Sequence, residues 1–275
     1  MKNQNTNISF KVFYKQKIAS FLIKRGFSDS NIYYLIKNNN VLINDKPVRD
    51  KNDLVRYKDT IKVLLSETYS DIPTLKDNLD IVYEDNYLLA VNKPYNLDVE
   101  PTKKEYVNNL ACIVNNYYQE NNIESKIHLV NRLDKLTTGL VILAKNQYIH
   151  NLFNNIKITK KYSALVEGKT ASSGTIKIKI EKENNSVERV VSDSGKISIT
   201  KYKLVKFDGV NSLVDISILT GRTHQIRLSF KHINHPLVND PLYGNNTNGD
   251  MYLKAYYLRF RHPITKKIIR LSIWR

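Results

Sequence analysis

Apolar residues in the first 65 positions recur at two different spacings, and this order predicts helices followed by strands. Two short helices are indicated by apolar residues at helical spacing, which are Ile18, Phe21 and Leu22 in the first and Ile32, Leu35 and Ile36 in the second. Gly26 ends the first helix and Ser28 caps the second. A strand, a turn and a strand are predicted over 41–48, with a further strand at 57–63. Residues 1–65 are therefore expected to form a small α/β module.

After a segment without periodicity at 66–79, the pattern changes to many strands and few helices. A strand, an acidic turn and a strand are predicted within 81–94, and further strands at 140–144, 160–168, 175–180, 196–207, 212–219, 253–262 and 268–274. Helices are predicted around Leu110–Tyr117, Ile149–Ile156 and Ile226–Ile233. The chain is thus predicted to be an α+β protein, with the linker 66–79 joining the first module to a second domain at 80–275.

Charge narrows the choice of partner. The formal net charge of +17 favours a polyanion, either nucleic acid or an anionic membrane surface. Charge is denser at the start, where the first 70 residues contain 13 Lys and Arg against 6 Asp and Glu. A coding bias toward Lys, Asn and Ile is the alternative explanation. Because no apolar run approaches membrane-spanning length and the N-terminus lacks a secretory signal, we expect a soluble, cytoplasmic protein with no membrane partner.

The segment 128–145 joins a polar loop directly to a buried strand. Asp134 lies between the cations Arg132 and Lys135, and the apolar run 140–144 follows after a Thr-Thr-Gly turn. A loop held by a rigid strand is a common place for catalytic residues. Read alone, however, the same residues also describe a surface turn with a local ion pair.

Four segments of the chain resemble the elements of one enzyme family. The residues Arg-Leu-Asp-Lys-Leu-Thr-Thr-Gly-Leu at 132–140 resemble the signature of the RluA-type pseudouridine synthases, which isomerise uridine in RNA. Asn-Lys-Pro at 92–94, Lys-Lys-Tyr-Ser-Ala-Leu-Val-Glu-Gly at 160–168 and Thr-Gly-Arg-Thr-His-Gln-Ile-Arg at 220–227 resemble three more elements of that family. More loosely, residues 10–65 resemble the small RNA-binding domain of ribosomal protein S-four, with a basic packing module as the alternative.

This resemblance implies a fold, a reaction and a partner. The fold is the pseudouridine synthase fold, a mixed, largely antiparallel sheet with flanking helices and a central cleft. The reaction is the isomerisation of specific uridines to pseudouridine without any cofactor. The implied substrate is ribosomal RNA, with transfer RNA as the other option, and the implied state is a monomer.

The resemblance also assigns roles to three residues. It implies that Asp134 is the nucleophile, that Tyr162 stacks on the target base and handles a proton, and that Arg132 fills the gap left by the extracted nucleotide. The alternatives are an ordinary core aromatic for Tyr162 and simple phosphate binding for Arg132. Base extraction costs a few kcal/mol, so a wedge and a stacking surface have a physical purpose.

A buried aspartate needs a cation, because burial raises its pKa whereas a neighbouring guanidinium restores the ionised form. Arg222, which follows Gly221 in the third element, is the candidate for this third catalytic residue, although folding must bring it to Asp134. The residues assigned to RNA contact are Arg132, Arg227, Lys231 and Lys93.

No metal site is expected from the sequence. His224, His232 and His235 lie close together, but they lack a supporting Cys or acidic cluster and the spacing of helical zinc ligands. The single cysteine, Cys112, excludes a disulfide framework and is expected in the core.

Several positions depart from the family pattern, and they are Asn96, Glu100, Asn131, Ser229, Asn234 and Lys254. The last four bear on target choice more than on activity. Two other functions therefore remain open at this point. One is a catalytically inactive RNA-binding or ribosome-assembly factor, which the joint presence of Asp134, Tyr162 and Arg222 disfavours. The other is a nucleoside or glycoside hydrolase.

Overall fold

The computed structural model describes residues 7–65, 67–183, 188–245 and 247–273. Its N-terminal module contains two helices, α1 (Ile18–Ile23) and α2 (Asp29–Lys37), and six short strands: β1 (Asn7–Lys11), β2 (Gln16–Lys17), β3 (Val41–Ile43), β4 (Lys46–Pro47), β5 (Leu54–Val55) and β6 (Thr60–Leu64). Four strands form an antiparallel sheet in the order β1-β6-β3-β4, while β2 pairs with β5. The predicted helices, the Ser28 cap and the strand–turn–strand unit are confirmed.

The remainder of the chain is built on one sheet of eleven strands. They are β7 (Ile81–Glu84), β8 (Leu88–Lys93), β9 (His128–Leu129), β10 (Thr138–Ala144), β11 (Thr159–Glu167), β12 (Ser173–Lys182), β13 (Arg189–Val191), β14 (Lys196–Phe207), β15 (Asn211–Ile218), β16 (Leu253–Arg261) and β17 (Ile268–Ser272). The order is β13-β12-β14-β15-β11-β16-β10-β8-β7, with β17 on β16 and β9 on β10. Only β10 and β16 pair in parallel among the described strands, which confirms a mixed, largely antiparallel sheet. The predicted end of the last strand, Trp274, lies outside the described residues.

Three helices accompany this sheet: α3 (Leu110–Glu120), α4 (Gln147–Leu152) and α5 (Gln225–His232). Asn109 caps α3, since its Oδ1 accepts from the backbone N–H of Cys112 at 3.1 Å, and Cys112 is buried as expected. Asn146 caps α4 in the same way. One apolar core lies between the sheet and helices α3 and α5, on the side where the polar loop 131–137 emerges.

A second apolar core joins the N-terminal module to the opposite side of the sheet. Phe27 stacks on Tyr148 of α4 with ring centroids 3.9 Å apart, and the Tyr148 hydroxyl donates to the backbone oxygen of Arg25 at 2.8 Å. The segment 67–79 is also held, because the side-chain amide of Asn115 donates to the backbone oxygen of Ile72 at 2.8 Å. The predicted linker is therefore fastened to the second domain. In the described part of the chain, no helix is both long and apolar enough to cross a membrane.

Candidate active site

Three of the segments singled out in the sequence meet at one cleft of about 490 Å³. Its walls come from the loop after β9, the first half of β11 and the turn between β15 and α5. The residues of this cleft that the sequence singled out are Asn131, Arg132, Asp134, Tyr162, Arg222, His224 and Arg227. Folding thus brings Asp134 and Tyr162 together with the arginines Arg132, Arg222 and Arg227.

Two buried polar side chains fix the loop that presents Asp134. Asn131 donates to the backbone oxygen of Leu140 at 3.1 Å and accepts from the N–H of Ile142 at 2.8 Å, so it ties the loop to β10. The ammonium of Lys93 donates to the backbone oxygens of Pro94, Leu97 and Lys135 at 2.8–2.9 Å. Burial lowers the pKa of Lys93 to about 8, although Asp98 and Asp134 oppose this effect.

The prediction that Lys93 contacts RNA is wrong, because the whole residue is buried and its donors are occupied by three carbonyl groups. Lys93 thus braces the turn that precedes the cleft against the backbone of the loop that carries Asp134. Sequence reasoning missed this role and that of Asn131.

The cations on either side of Asp134 pair with a neighbouring loop. Arg132 contacts Glu100 at 2.8 Å, and Lys135 contacts Asp98 at 3.7 Å. Within the described residues, neither cation forms an ion pair with Asp134 itself. The segment therefore does not form the alternative of a surface turn with a local ion pair to Asp134. Asp134 is left half-buried and directed to the cleft that it lines.

Gly139 follows the loop that carries Asp134 and sets how closely β10 approaches β16. It has a φ of +113°, and β10 pairs there with Ala255 of the parallel strand β16. A Cβ at this position would collide with the backbone of Ala255. Only glycine combines this backbone conformation with this approach.

Tyr162 lies on β11, where the pairing with β16 shifts register between Lys161 and Tyr162. Such a bulge redirects the side chains that follow it. The ring is buried, and it lines the cleft. Burial raises the pKa of Tyr162, and the negative charge of Asp134 raises it further, so the hydroxyl keeps its proton at neutral pH.

Arg222 and Arg227 do not make the contacts that the sequence suggested. The side chain of Arg222 is exposed, its Nε donates to the backbone oxygen of Ile197 at 3.2 Å, and no ion pair joins it to Asp134 among the described residues. The predicted Arg222–Asp134 pair is therefore wrong. Arg227 was predicted to face phosphates, which is also wrong, because it is 3% exposed and points to the carboxylate of Asp240.

Arg227 is held at the wall of the cleft by a buried ion pair with Asp240. Its Nε and Nη2 donate to the two carboxylate oxygens of Asp240 at 2.7 and 2.6 Å, and the guanidinium lies 5.2 Å from the ring centroid of Tyr243. Burial disfavours the charged form, but the hydrogen bonds and charge of Asp240, with a smaller effect of Asp134, raise the pKa of Arg227. A permanently charged guanidinium is thus locked beside the cleft.

His224 and Gln225 shape the turn that leads into α5. His224 adopts a left-handed φ of +55° and shares a hydrogen bond of 3.0 Å between its Nδ1 and the hydroxyl of Tyr243. Burial lowers the pKa of His224, which favours the neutral ring. The buried amide of Gln225 holds the turn by accepting from the hydroxyl of Thr220 at 2.8 Å and from the N–H of Arg222 at 3.0 Å. In the described residues, no group of three His, Cys, Asp or Glu side chains could hold a metal.

Lys160 is a cation of the cleft that the sequence reasoning did not single out. It lines the same wall as Tyr162, and burial lowers its pKa. Lys231 is exposed on α5, so its predicted contact with RNA stays a prediction.

Comparison with known proteins identifies relatives of this chain. The family model described as RNA pseudouridylate synthase matches residues 87–232. The chain is 33% identical to ribosomal large subunit pseudouridine synthase D of Buchnera aphidicola subsp. Acyrthosiphon pisum, an alignment that covers 90% of this chain and 87% of that protein. It is 34% identical to an uncharacterized RNA pseudouridine synthase of Mycoplasma genitalium, over 91% and 84% of the two chains. The fold is similar to human RNA pseudouridylate synthase domain containing 1, with a TM-score of 0.59 and 25% identity over 74% of this chain and 86% of that one.

Proposed function

The chain belongs to the RNA pseudouridylate synthase family, and we propose that it converts specific uridines of ribosomal RNA to pseudouridine with Asp134 as the nucleophile. The enzyme class follows from the family match and from the relatives named as pseudouridine synthases. The observation that carries the catalytic assignment is the convergence of Asp134, Tyr162 and Arg227 on one cleft.

The reaction requires that the N1–C1′ bond of uridine breaks, that the uracil turns and that a C5–C1′ bond forms. Hydrogen leaves C5 as a proton, and N1 gains a proton. An ionised carboxylate at the cleft serves as the nucleophile of this sequence. Arg227 lines the same cleft and places a buried positive charge near the substrate.

Tyr162 offers an aromatic surface beside the carboxylate. Its buried ring supports a stacked base, and its hydroxyl retains a proton that it can donate to the base as the uracil turns. Base flipping costs a few kcal/mol, and stacking on an aromatic ring offsets part of that cost. Arg132, on the exposed edge of the same loop, takes the place of the extracted nucleotide.

The electrostatics support a large RNA as the substrate. The net charge of +17 favours a polyanion, and exposed cations occur both at the cleft, in Arg132 and Arg222, and in the N-terminal module. Relatives named for the large ribosomal subunit favour ribosomal RNA over transfer RNA. We place the enzyme in the cytoplasm as a monomer in which the N-terminal module docks RNA.

Mapping pseudouridines in cellular RNA with and without this protein tests the proposal. We expect one or a few ribosomal RNA sites to lose the modification when the protein is absent and to regain it when the wild-type chain is restored. An Asp134→Asn chain should not restore them. Loss of sites in transfer RNA alone would contradict the ribosomal assignment, and an unchanged map would favour the inactive RNA-binding factor.

A further inference from the structure

Three aromatic side chains are exposed on one edge of the N-terminal module. Phe13 is 72% exposed, Tyr57 64% and Tyr14 54%. The two loops that carry them lie side by side, because the N–H of Val12 donates to the oxygen of Asp59 at 2.9 Å and the N–H of Lys58 donates to the oxygen of Val12 at 3.0 Å. Single exposed apolar residues are common, but three large rings on two adjoining loops mark a binding surface.

Cations accompany two of these rings. The ammonium of Lys24 lies 5.3 Å from the ring centroid of Tyr14 and donates to its hydroxyl at 3.2 Å. The ammonium of Lys58 lies 5.5 Å from the ring centroid of Tyr57. Lys58 itself has a φ of +73°, a strained conformation for a residue with a side chain. The edge therefore presents rings and positive charge together.

Asp59, the acidic residue of these two loops, forms hydrogen bonds within the module. Asp59 accepts from the side-chain amide of Asn44 at 2.8 Å and from the N–H of Arg56 at 2.7 Å. Its charge is thus used to hold the turn. The exposed residues Lys15 and Arg56 add two more cations to the same pair of loops.

Rings interleaved with cations fit one ligand chemistry best. Unpaired nucleotides offer a flat base for each ring and a phosphate for each cation, and stacking of this kind tolerates any base. A duplex hides the faces of its bases, so it can use only the charge. An anionic membrane surface could also take up rings and cations, but the family of this chain acts on RNA.

We infer that Phe13, Tyr14 and Tyr57 form a platform on which unpaired bases of the substrate RNA stack. This aromatic platform lies in the N-terminal module and not in the catalytic cleft, so it contributes to docking and not to bond chemistry. The inference rests on the proposed function only in taking RNA as the polyanion.

Binding of two labelled RNAs to the full chain tests the platform. The probes are a single-stranded oligouridine and a blunt RNA duplex of equal length, measured by fluorescence anisotropy. Phe13→Ala combined with Tyr57→Ala should weaken oligouridine binding by about tenfold or more, on the order of a stacked base or two. The same double variant should change duplex binding by less than about threefold.

The matched control is Tyr33→Ala combined with Tyr34→Ala, which removes two rings of α2 that are 67% and 57% exposed. This control should leave both affinities within about twofold. Tyr57→Phe, which keeps a ring, should retain wild-type binding.

The inference is overturned if oligouridine binding is unchanged in the platform variant or if the control loses as much. It is also overturned if both probes weaken equally, or if the variant loses binding to vesicles of anionic phospholipid and not to RNA. These readings are separate from catalysis. Should the wild-type chain form no pseudouridine, the proposed function fails while the platform is still judged from the affinities.

Discussion

The Asp240→Asn substitution tests the buried ion pair between Asp240 and Arg227 beside the cleft. Asparagine has nearly the same shape as aspartate, so the packing is retained while the negative charge is lost. Asp240 is bonded to Arg227 through both oxygens, and the two side chains are 0% and 4% exposed. Oδ1 also accepts from the N–H groups of Leu242 and Tyr243 at 2.9 and 3.1 Å. The variant therefore leaves a guanidinium buried without its counter-charge.

Breaking one side of a buried pair costs about 3–5 kcal/mol, whereas replacing both partners by apolar groups is often close to neutral. For a chain of this length, such a loss corresponds to a fall in Tm of about 10 °C. The loss is measured by urea unfolding at neutral pH. The control is Asp193→Asn, an exposed carboxylate, which should change the free energy of unfolding by less than about 0.5 kcal/mol.

The double variant Arg227→Met with Asp240→Leu separates structure from catalysis. It should recover most of the stability that Asp240→Asn loses, because no charge remains buried. It should still form little pseudouridine, because the cleft has lost its buried guanidinium. A stability loss below about 1 kcal/mol in Asp240→Asn, or a double variant with near-normal turnover, would refute the role given to this pair.

Three further predictions concern groups around the cleft and the sheet. Arg222→Ala should raise KM for RNA several-fold with little change in kcat, since the side chain is exposed. A hundredfold fall in kcat would instead support a pairing of Arg222 with Asp134. Burial disfavours the charge of Asp85, but hydrogen bonds led by the one from His262 lower its pKa to about 2. The ionised carboxylate therefore stabilises the fold above about pH 4, and this stabilisation is lost as pH falls to about 2. Asp85→Asn should lower the free energy of unfolding by about 2 kcal/mol at pH 7. In urea titrations, the free energy of unfolding of this variant should also fall less between about pH 4 and 2 than that of the wild type. Glu100→Gln should tighten RNA binding a few-fold by freeing Arg132, whereas the exposed control Glu120→Gln should not; equal effects would point to net charge alone.

Local features of the fold were predictable because their causes are local. Apolar spacing and the Ser28 cap act within a turn of the chain, and the structure confirms the helices that they predict. The Asp134 loop was recognisable for the same reason, since its motif and the strand after it are continuous in sequence.

The misassigned residues depend on contacts between distant parts of the chain. A lysine or an arginine in a sequence looks like a surface cation, and nothing nearby showed that Lys93 would meet three carbonyl groups or that Arg227 would meet Asp240. The one signal of burial in the sequence was that the apolar residues Ile226 and Leu228 flank Arg227. The pairing of β10 with β16 at Gly139 and Ala255, 116 residues apart, is equally invisible to local pattern.

The most direct test of the catalytic assignment is the release of tritium from RNA labelled at C5 of uridine, which accompanies pseudouridine formation. Measured with Asp134→Asn beside the wild-type chain, release should fall to background while the Kd for the same RNA stays within about twofold. Sustained release by that variant would contradict the assignment of Asp134 as the nucleophile.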